Sequence, residues 1–444
     1  MAHKIPNWLG KSFFVLVIFL LTDSFRRPIN FLSHHPFIRN IVVLLTDMPL
    51  NETGRAIRLG LRFLVSSSLD AAFWLIILMA LFRLGGFVKF REMLWKNMLA
   101  VVLVFFGGIS VFWSISPEDT LNDFYLVLKI TVLGIYLSQV YSLEEILDLL
   151  VGVFALASAL SILAVWLVPE IGISGRYWQG IYSFKNFLGR LMAFGNAIAI
   201  LYWLKSGGMV FKRILALVFF ILTGVLLVFS KSTTSVLLLL GMYATLIVYG
   251  VWRKFPAYWN LRNLGVAALV LGFITSIIAW NWERIYALIV RTPALAVLFL
   301  RSPTLSGRTE LWEILLGWFQ QRPIFGFGYG AFWSLYPDGI SNSSTPQMIR
   351  HAHNGYLEIA LGLGIVGLVI FLVALFLAWK RAFTLLSQRR QIVFILPILA
   401  LIYFTLANIT YSIAFERPDF HWLLFIIVTG LVTSTQLRRQ EISP

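Results

Sequence analysis

The chain has 444 residues, of which 59% are hydrophobic and 13% charged, with a mean hydropathy of +0.83. These values exclude an ordinary soluble domain, and repeated apolar runs of about 20 residues indicate a polytopic helical membrane protein. There is no cysteine, which excludes disulfides and thiolate ligands, and the net charge of +16 lies largely between the apolar runs. That distribution is typical of a membrane topology signal rather than of nucleic-acid binding.

We expect one all-α membrane domain over residues 1–444, with about twelve spans and one long extracytoplasmic loop that carries short helices. Lys4 and Lys11 precede the first apolar run without a small-residue cleavage site, which favours an uncleaved span over a signal peptide. The predicted spans are 11–24, 60–84, 97–115, 122–140, 145–168, 187–204, 212–230, 233–252, 263–280, 356–379, 391–410 and 420–437.

Basic residues concentrate on alternate loops, which predicts a cytoplasmic face and places both termini there. The opposite face receives the loop 281–355. Residues 25–59 fit this topology badly because they carry five arginines on the face that should be poor in them. Within them, residues 41–50 are too short to span, so we interpret them as interfacial or re-entrant; if they cross, the amino terminus changes sides. Asp70 and Lys129 are charges within predicted spans, and both a functional role and a structural pair remain open.

The loop 281–355 holds the first candidate site residues. Arg308 opens a predicted helix over 309–320, where the helix dipole disfavours a cation, so that a bound anion would offset the cost. Guanidinium groups grip phosphate through paired hydrogen bonds, and Arg301 and Arg350 lie in the same loop. The alternative is ordinary pairing with nearby glutamates or lipid headgroups. The glycine-rich residues 326–330 resemble a phosphate cradle only superficially.

His351 and His353 stand two residues apart at the mouth of an apolar helix predicted from about residue 356. This is not the spacing of a zinc pair, and no carboxylate or thiolate set completes a metal site. A neutral His353 beside Asn354 could take a proton from a sugar hydroxyl, and the alternative is a hydrogen-bonded structural histidine.

Two shorter polar turns face the same side as the loop. One leads to Lys185 and Arg190 at a helix entrance, and the other, residues 230–235, contains Lys231. These cations could add to an anion site at helix amino termini, although capping and solubility explain them nearly as well.

The assembled motifs resemble the O-antigen ligase and polymerase family of bacterial envelope enzymes, and most closely its exopolysaccharide repeat-unit polymerases of the succinoglycan type. The resemblance runs over most of the chain in a shared order and spacing. It is carried by Trp113-Ser114 with Pro117, Lys185 to Gly189, Ser306-Gly307-Arg308 with Trp312, Pro323 with Gly326 and Gly328, and His353-Asn354 with Tyr356-Leu357-Glu358 and Gly364.

The resemblance implies a metal-independent inverting glycosyltransferase that needs no cofactor. The same resemblance implies that His353 and Arg308 are catalytic. The predicted acceptor-positioning residues are Asn354, Tyr356 and Glu358. The family often carries an arginine in a Ser-Arg-Thr turn after a middle span, whereas residues 230–234 here read Ser-Lys-Ser-Thr-Thr; Lys231 or Arg190 is the candidate substitute. The predicted diphosphate-binding residues are Arg308, Lys185, Arg190, Lys231, Arg301 and Arg350.

The expected function is polymerisation of undecaprenyl-diphosphate-linked oligosaccharide repeat units at the periplasmic face of the bacterial inner membrane. A ligase that moves finished glycan onto lipid A-core is the alternative within the class. A transporter of anions or lipid-linked sugars, or a scaffold, are alternatives from other classes. Expected partners are the lipid-linked oligosaccharide, the bilayer, and a chain-length regulator and flippase of the assembly system, without nucleic acid.

Overall fold

The computed structural model is dominated by long apolar helices. It describes residues 11–12, 14–15, 17–19, 70–71, 74–75, 91, 94–95, 97–254, 308–342, 345–389, 391–413 and 420–440.

The helices follow the apolar runs of the sequence, and short connections join most neighbours. Within the described ranges they are α1 (Met98–Ile109), α2 (Pro117–Val140), α3 (Leu143–Leu167), α4 (Pro169–Gly172), α5 (Lys185–Lys205), α6 (Val210–Ser230), α7 (Thr233–Lys254), α8 (Arg308–Phe319), α9 (Gly355–Gln388), α10 (Leu396–Thr410) and α11 (Phe420–Gln440). Two small antiparallel hairpins complete the architecture, β1 (Ile173–Ser174) with β2 (Tyr177–Trp178) and β3 (Ile340–Asn342) with β4 (Thr345–Ile349).

Seven helices in the described ranges are long and apolar enough to cross a membrane: α2, α3, α5, α6, α7, α9 and Ile392–Thr410, which includes α10. They coincide with seven predicted spans and confirm a polytopic helical membrane protein. The spans predicted at 97–115 and 420–437 correspond to shorter apolar helices, Met98–Phe112 and Phe420–Thr433. The span at 263–280, residues 41–50 and most of the first two spans lie outside the described residues, so the total of twelve stays a prediction.

Helix α5 lies at the centre of the bundle, where it packs against α3, α6, α7 and α10. Small residues permit this close approach, as is common between membrane helices. A Cβ at Gly189 would lie 2.7 Å from the Ser235 hydroxyl oxygen, and one at Gly195 would lie 3.3 Å from the Phe154 side chain. The amino-terminal turn of α5 is therefore held directly against the turn 230–235.

The two ends of the bundle differ in character. At one end, Lys205 pairs with Glu144 at 3.4 Å and with Asp148 at 3.3 Å, as expected for surface-facing helix ends. At the other end the predicted extracytoplasmic segments meet: the Ile115 amide donates to the Phe327 carbonyl at 3.0 Å, and the Trp178 ring stacks on Phe229 at 4.2 Å. These contacts bring segments that the sequence assigned to one face together at one end of the bundle.

The intramembrane charges form a pair. Lys129 is 8% exposed and its Nζ binds the Asp70 carboxylate, while the same ammonium lies 4.3 Å from the Tyr125 ring centroid. Of the two interpretations left open by the sequence, the structural pair is the one that the contacts support.

Helix α9 is broken at Gly364, although the sequence predicted an uninterrupted span there. Gly364 has φ +65° and ψ −166°, and the segment that follows α8 lies along the break. The Phe327 amide donates to the Leu361 carbonyl at 2.8 Å, and the Ile365 amide donates to the Pro323 carbonyl at 2.8 Å. Backbone groups freed by a break in a membrane helix need such partners, and the glycine-rich segment supplies them here.

Replacing Gly364 by alanine should destabilise the fold. A Cβ there would lie 2.1 Å from the Ile324 carbonyl oxygen, and the left-handed backbone alone costs a substituted residue about 1–3 kcal/mol. We expect less monodisperse protein in detergent and a lower melting temperature. Gly250→Ala in α7, where a Cβ meets open space, is the matched control; equal stability of the two variants would contradict the account.

A cationic pocket beside two histidines

The histidine loop, residues 351–354, leads from β4 into α9. Asn354 caps that helix, because its Oδ1 accepts hydrogen bonds from the Tyr356 and Leu357 amides at 3.0 and 3.2 Å. Tyr356, predicted to position the acceptor, directs its hydroxyl to the Thr405 carbonyl at 3.2 Å. Both side chains thus fix the start of α9, which in turn fixes where the histidines stand.

Glu358 fastens this loop to its surroundings. Its carboxylate accepts hydrogen bonds from the Ala352 amide at 2.7 Å, from the Ser412 hydroxyl at 3.1 Å and from the Trp333 indole. From the other side, the Trp312 indole of α8 donates to the Ala352 carbonyl at 2.9 Å. The residue between the two histidines is therefore held through both its backbone polar groups.

Two arginines from distant parts of the chain meet at this loop. Arg308 is the first residue of α8, one position before the predicted start, and Arg190 belongs to α5. Arg190 is 3% exposed, and its Nε and Nη2 atoms have no hydrogen-bond partner in the described part of the chain. Its Cζ lies 3.7 Å from the ring centroid of Tyr411. Burial first, and then the charge of Arg190, lowers the pKa of Arg308.

The two imidazoles are packed together, with ring centroids 3.9 Å apart, and the Nδ1 of His353 has no hydrogen-bond partner among the described residues. Burial, followed by Arg190 and Arg308, lowers the pKa of His351 from 6.5 to about 4. Burial, followed by His351, Arg308 and Arg190, lowers the pKa of His353 to about 2. Both rings are therefore neutral at neutral pH, and His353 presents a lone pair or a proton on an unoccupied nitrogen.

The pocket thus combines positive charge with a neutral imidazole. A buried guanidinium without an acidic partner carries an uncompensated desolvation cost, which an anionic ligand would offset. Arg190 lies next to Gly189, which packs on the turn 230–235, so it reaches the pocket from beside the turn where the resemblance predicts an arginine.

The remaining predicted cations lie elsewhere. Lys185 stands five residues before Arg190, about 140° away around α5, and its Nζ lies 3.7 Å from the Tyr177 ring centroid. Lys231 has a left-handed backbone conformation with φ +49°, and its Nζ lies 5.9 Å from the Tyr177 ring centroid. Arg350 is exposed beside His351, and Arg301 lies outside the described residues. Arg190 and Arg308 thus lie beside the histidines, whereas Lys185 and Lys231 both lie near the ring of Tyr177.

Sequence reasoning missed Tyr411 as a site residue and did not assign His351 a role. The proximity of the two rings was not readable from their spacing, because His353 has φ +52° and the loop is bent there. Nothing in the local sequence distinguishes Tyr411 from other interfacial tyrosines.

The depressed histidine pKa values predict acid sensitivity of the fold. Unfolded histidines protonate near pH 6.5, whereas His351 and His353 resist protonation down to about 4 and 2. Between pH 6.5 and 4 the unfolded chain binds more protons, so stability falls with falling pH, by about 1 kcal/mol per unit for each histidine. Thermal unfolding in detergent at pH 7.5 and 5.0 measures this, and the double variant His351→Gln, His353→Gln should show a smaller difference; an unchanged difference would contradict the assignment.

Comparison with known proteins gives this pocket a context. Residues 217–372 match a family described as O-Antigen ligase, a range that contains Arg308, the histidine loop and the turn 230–235 but not Arg190. The chain is also 26% identical over 308 residues to the exopolysaccharide production protein ExoQ of Rhizobium meliloti (strain 1021). That similarity covers 64% of this chain and 65% of the relative, so it spans slightly less than two thirds of the relative's length. Both similarities support the resemblance to the O-antigen ligase and polymerase family that the motifs predicted.

Proposed function

We propose that the protein is a glycosyltransferase that polymerises undecaprenyl-diphosphate-linked oligosaccharide repeat units. The observation that carries this proposal is a cluster in which Arg308 and Arg190 lie beside a neutral His353, with Nε and Nη2 of Arg190 lacking a hydrogen-bond partner among the described residues. Two guanidinium groups suit a diphosphate, and a neutral imidazole suits a sugar hydroxyl. The position of this pocket at one end of a membrane bundle suits a substrate whose lipid tail stays in the bilayer.

In the proposed reaction, an acceptor hydroxyl oxygen attacks the anomeric carbon of the donor sugar from the face opposite the diphosphate. The new glycosidic C–O bond forms as the bond from the anomeric carbon to the phosphate oxygen breaks, which inverts the configuration. The electron pair of the broken bond stays on the diphosphate, where Arg190 and Arg308 stabilise the developing charge. The hydroxyl proton passes to Nδ1 of His353, whose depressed pKa rises once the bound diphosphate offsets the charge of the two arginines. Positive charge from the arginines takes the part that a metal ion would otherwise play.

Polymerase activity is supported by the similarity to an exopolysaccharide production protein, whereas the name of the matched family supports a ligase that transfers finished glycan. Incubation of purified protein with one lipid-linked oligosaccharide separates them. A polymerase converts it to a ladder of lengthening products, and absence of a ladder would reject the proposal. In cells, loss of a polymerase leaves single lipid-linked repeats, whereas loss of a ligase leaves long lipid-linked chains.

This function places the pocket at the periplasmic face of a bacterial inner membrane, with both termini cytoplasmic. Accessibility labelling of a cysteine introduced at the exposed Arg350 tests the sidedness, because the native chain has no cysteine. A flippase and a chain-length regulator are the proposed neighbours in the assembly system, since a carrier-linked repeat must first reach the outer leaflet.

A further inference from the structure

Tyr411 lies at the centre of the cationic pocket. It directly follows α10, and its amide donates to the Ala407 carbonyl at 3.0 Å, which ties its backbone to the end of that helix. The following residue, Ser412, is 1% exposed and donates from its hydroxyl to Glu358. The place of the tyrosine ring is therefore fixed by the bundle and not by a free loop.

The Tyr411 ring contacts Arg190 of α5 and both imidazoles of the histidine loop. Its face receives the Arg190 guanidinium, with Cζ 3.7 Å from the centroid. The rings of His351 and His353 meet it at steep angles of 78° and 64°, with centroid distances of 5.0 and 5.9 Å. Aromatic faces attract cations, and steeply inclined rings pack favourably, so each contact is of the attractive kind.

A second connection makes this arrangement rigid. Glu358 binds both the Ser412 hydroxyl and the Ala352 amide, so the chain after Tyr411 and the chain between the histidines share one carboxylate. The Tyr411 ring and Glu358 thus hold the histidine loop at two separate points. Arg190 has two nitrogens lacking a hydrogen-bond partner in the described ranges, and the Tyr411 ring is the nearer of the two rings it contacts, with Phe187 at 5.5 Å.

We propose that Tyr411 is a positioning residue for glycosyl transfer, because its ring sets the separation between Arg190 and the two histidines. This inference rests on the proposed function. The diphosphate on Arg190 and the hydroxyl at His353 must both reach one anomeric carbon, and a misplacement of about 1 Å in such a site can cost about 100-fold in rate.

Two substitutions separate the ring face from the hydroxyl. Tyr411→Phe keeps the face and should retain the rate of ladder formation. Tyr411→Leu removes the face while keeping a smaller apolar side chain, and should lower kcat/KM about tenfold or more. Tyr249→Leu, at a 3% exposed tyrosine of α7 that packs on Trp252, controls for the loss of a buried ring and should retain the rate.

A titration without substrate keeps this test independent of the proposed function. The groups facing the histidines are Arg190 from α5, Arg308 from α8, Glu358 from α9 and Tyr411 after α10. Arg190 lowers the pKa of both histidines, so its release in Tyr411→Leu should raise both values toward 6.5, whereas Tyr411→Phe should not. Histidine NMR of the isotope-labelled full chain measures the shift, and calorimetry measures binding of inorganic pyrophosphate, which should weaken only in the leucine variant.

The outcomes decide the proposal separately from the enzymatic assignment. Wild-type pKa values and wild-type pyrophosphate affinity in Tyr411→Leu would overturn the positioning role. Equal losses in the phenylalanine and leucine variants would overturn it too, since the hydroxyl would then be the acting group. If the wild-type protein forms no ladder, the polymerase is rejected. If the histidine pKa values of Tyr411→Leu are nevertheless shifted, the positioning of Arg190 by the ring still stands.

Discussion

Replacing His353 by asparagine is expected to lower the rate of polymer formation by about 10²–10⁴-fold, the range that removal of a general base typically costs. Asparagine is the informative choice because His353 has φ +52°. This left-handed conformation strains alanine, whereas asparagine tolerates it, so the asparagine variant removes the base without adding backbone strain. The rate is measured as the initial rate of ladder formation from one lipid-linked repeat.

A buried histidine outside the pocket provides the control. His421 is fully buried and its Nε2 lies 2.8 Å from the Tyr403 hydroxyl. His421→Gln keeps a hydrogen-bonding group there and should retain the rate. Polymer of normal length at a normal rate from His353→Asn would reject His353 as the base and leave Arg190 and Arg308 as a binding site alone.

The sequence predicted the bundle well because apolar run length sets where a helix can cross a membrane. It also predicted α8 to within one residue at each end, since Arg308 and Pro323 bracket a short helical run. Arg308 and His353 were recognisable as charged or titratable groups at the entrance to apolar helices, where such residues are costly without a role.

Other parts depended on contacts between distant segments, which no local pattern encodes. Arg190 could be named as a candidate, but its stacking on Tyr411 joins residues 221 positions apart through the packing of α5 against α10. Gly364 looked like one more small residue in an apolar helix. Only the arrival of the Pro323–Gly328 backbone beside it explains why the helix breaks there.

The different positions of Lys185 and Arg190 also depended on packing between distant segments. Lys185 and Arg190 look equivalent in the sequence, since both lie at one helix entrance. The helical rotation between them turns one toward Tyr177 and the other toward the histidine loop. Predicting that difference needed the orientation of α5 about its own axis, which is set by packing on four other helices.

A double-mutant cycle on Arg190 and Arg308 should show that the two guanidinium groups act on one ligand. Each single change to glutamine is expected to lower kcat/KM by about 10²–10³-fold, as for loss of one group that stabilises developing negative charge. The double variant should lose less than the product of the single losses, because groups that bind one diphosphate are not independent. Additive losses would indicate two separate sites.

The same cycle predicts an unusual stability signature. Arg190 is buried and Arg308 is partly buried, neither pairs with a carboxylate in the described ranges, and each opposes the charge of the other. Removing one relieves that repulsion, so the melting temperature of Arg190→Gln and Arg308→Gln should stay level or rise while activity falls. Arg322→Gln, at an exposed arginine whose Nη1 lies 3.4 Å from the Trp113 carbonyl, is the control and should change neither property. Parallel loss of stability and activity in the pocket variants would mean that these arginines hold the fold together instead of awaiting an anion.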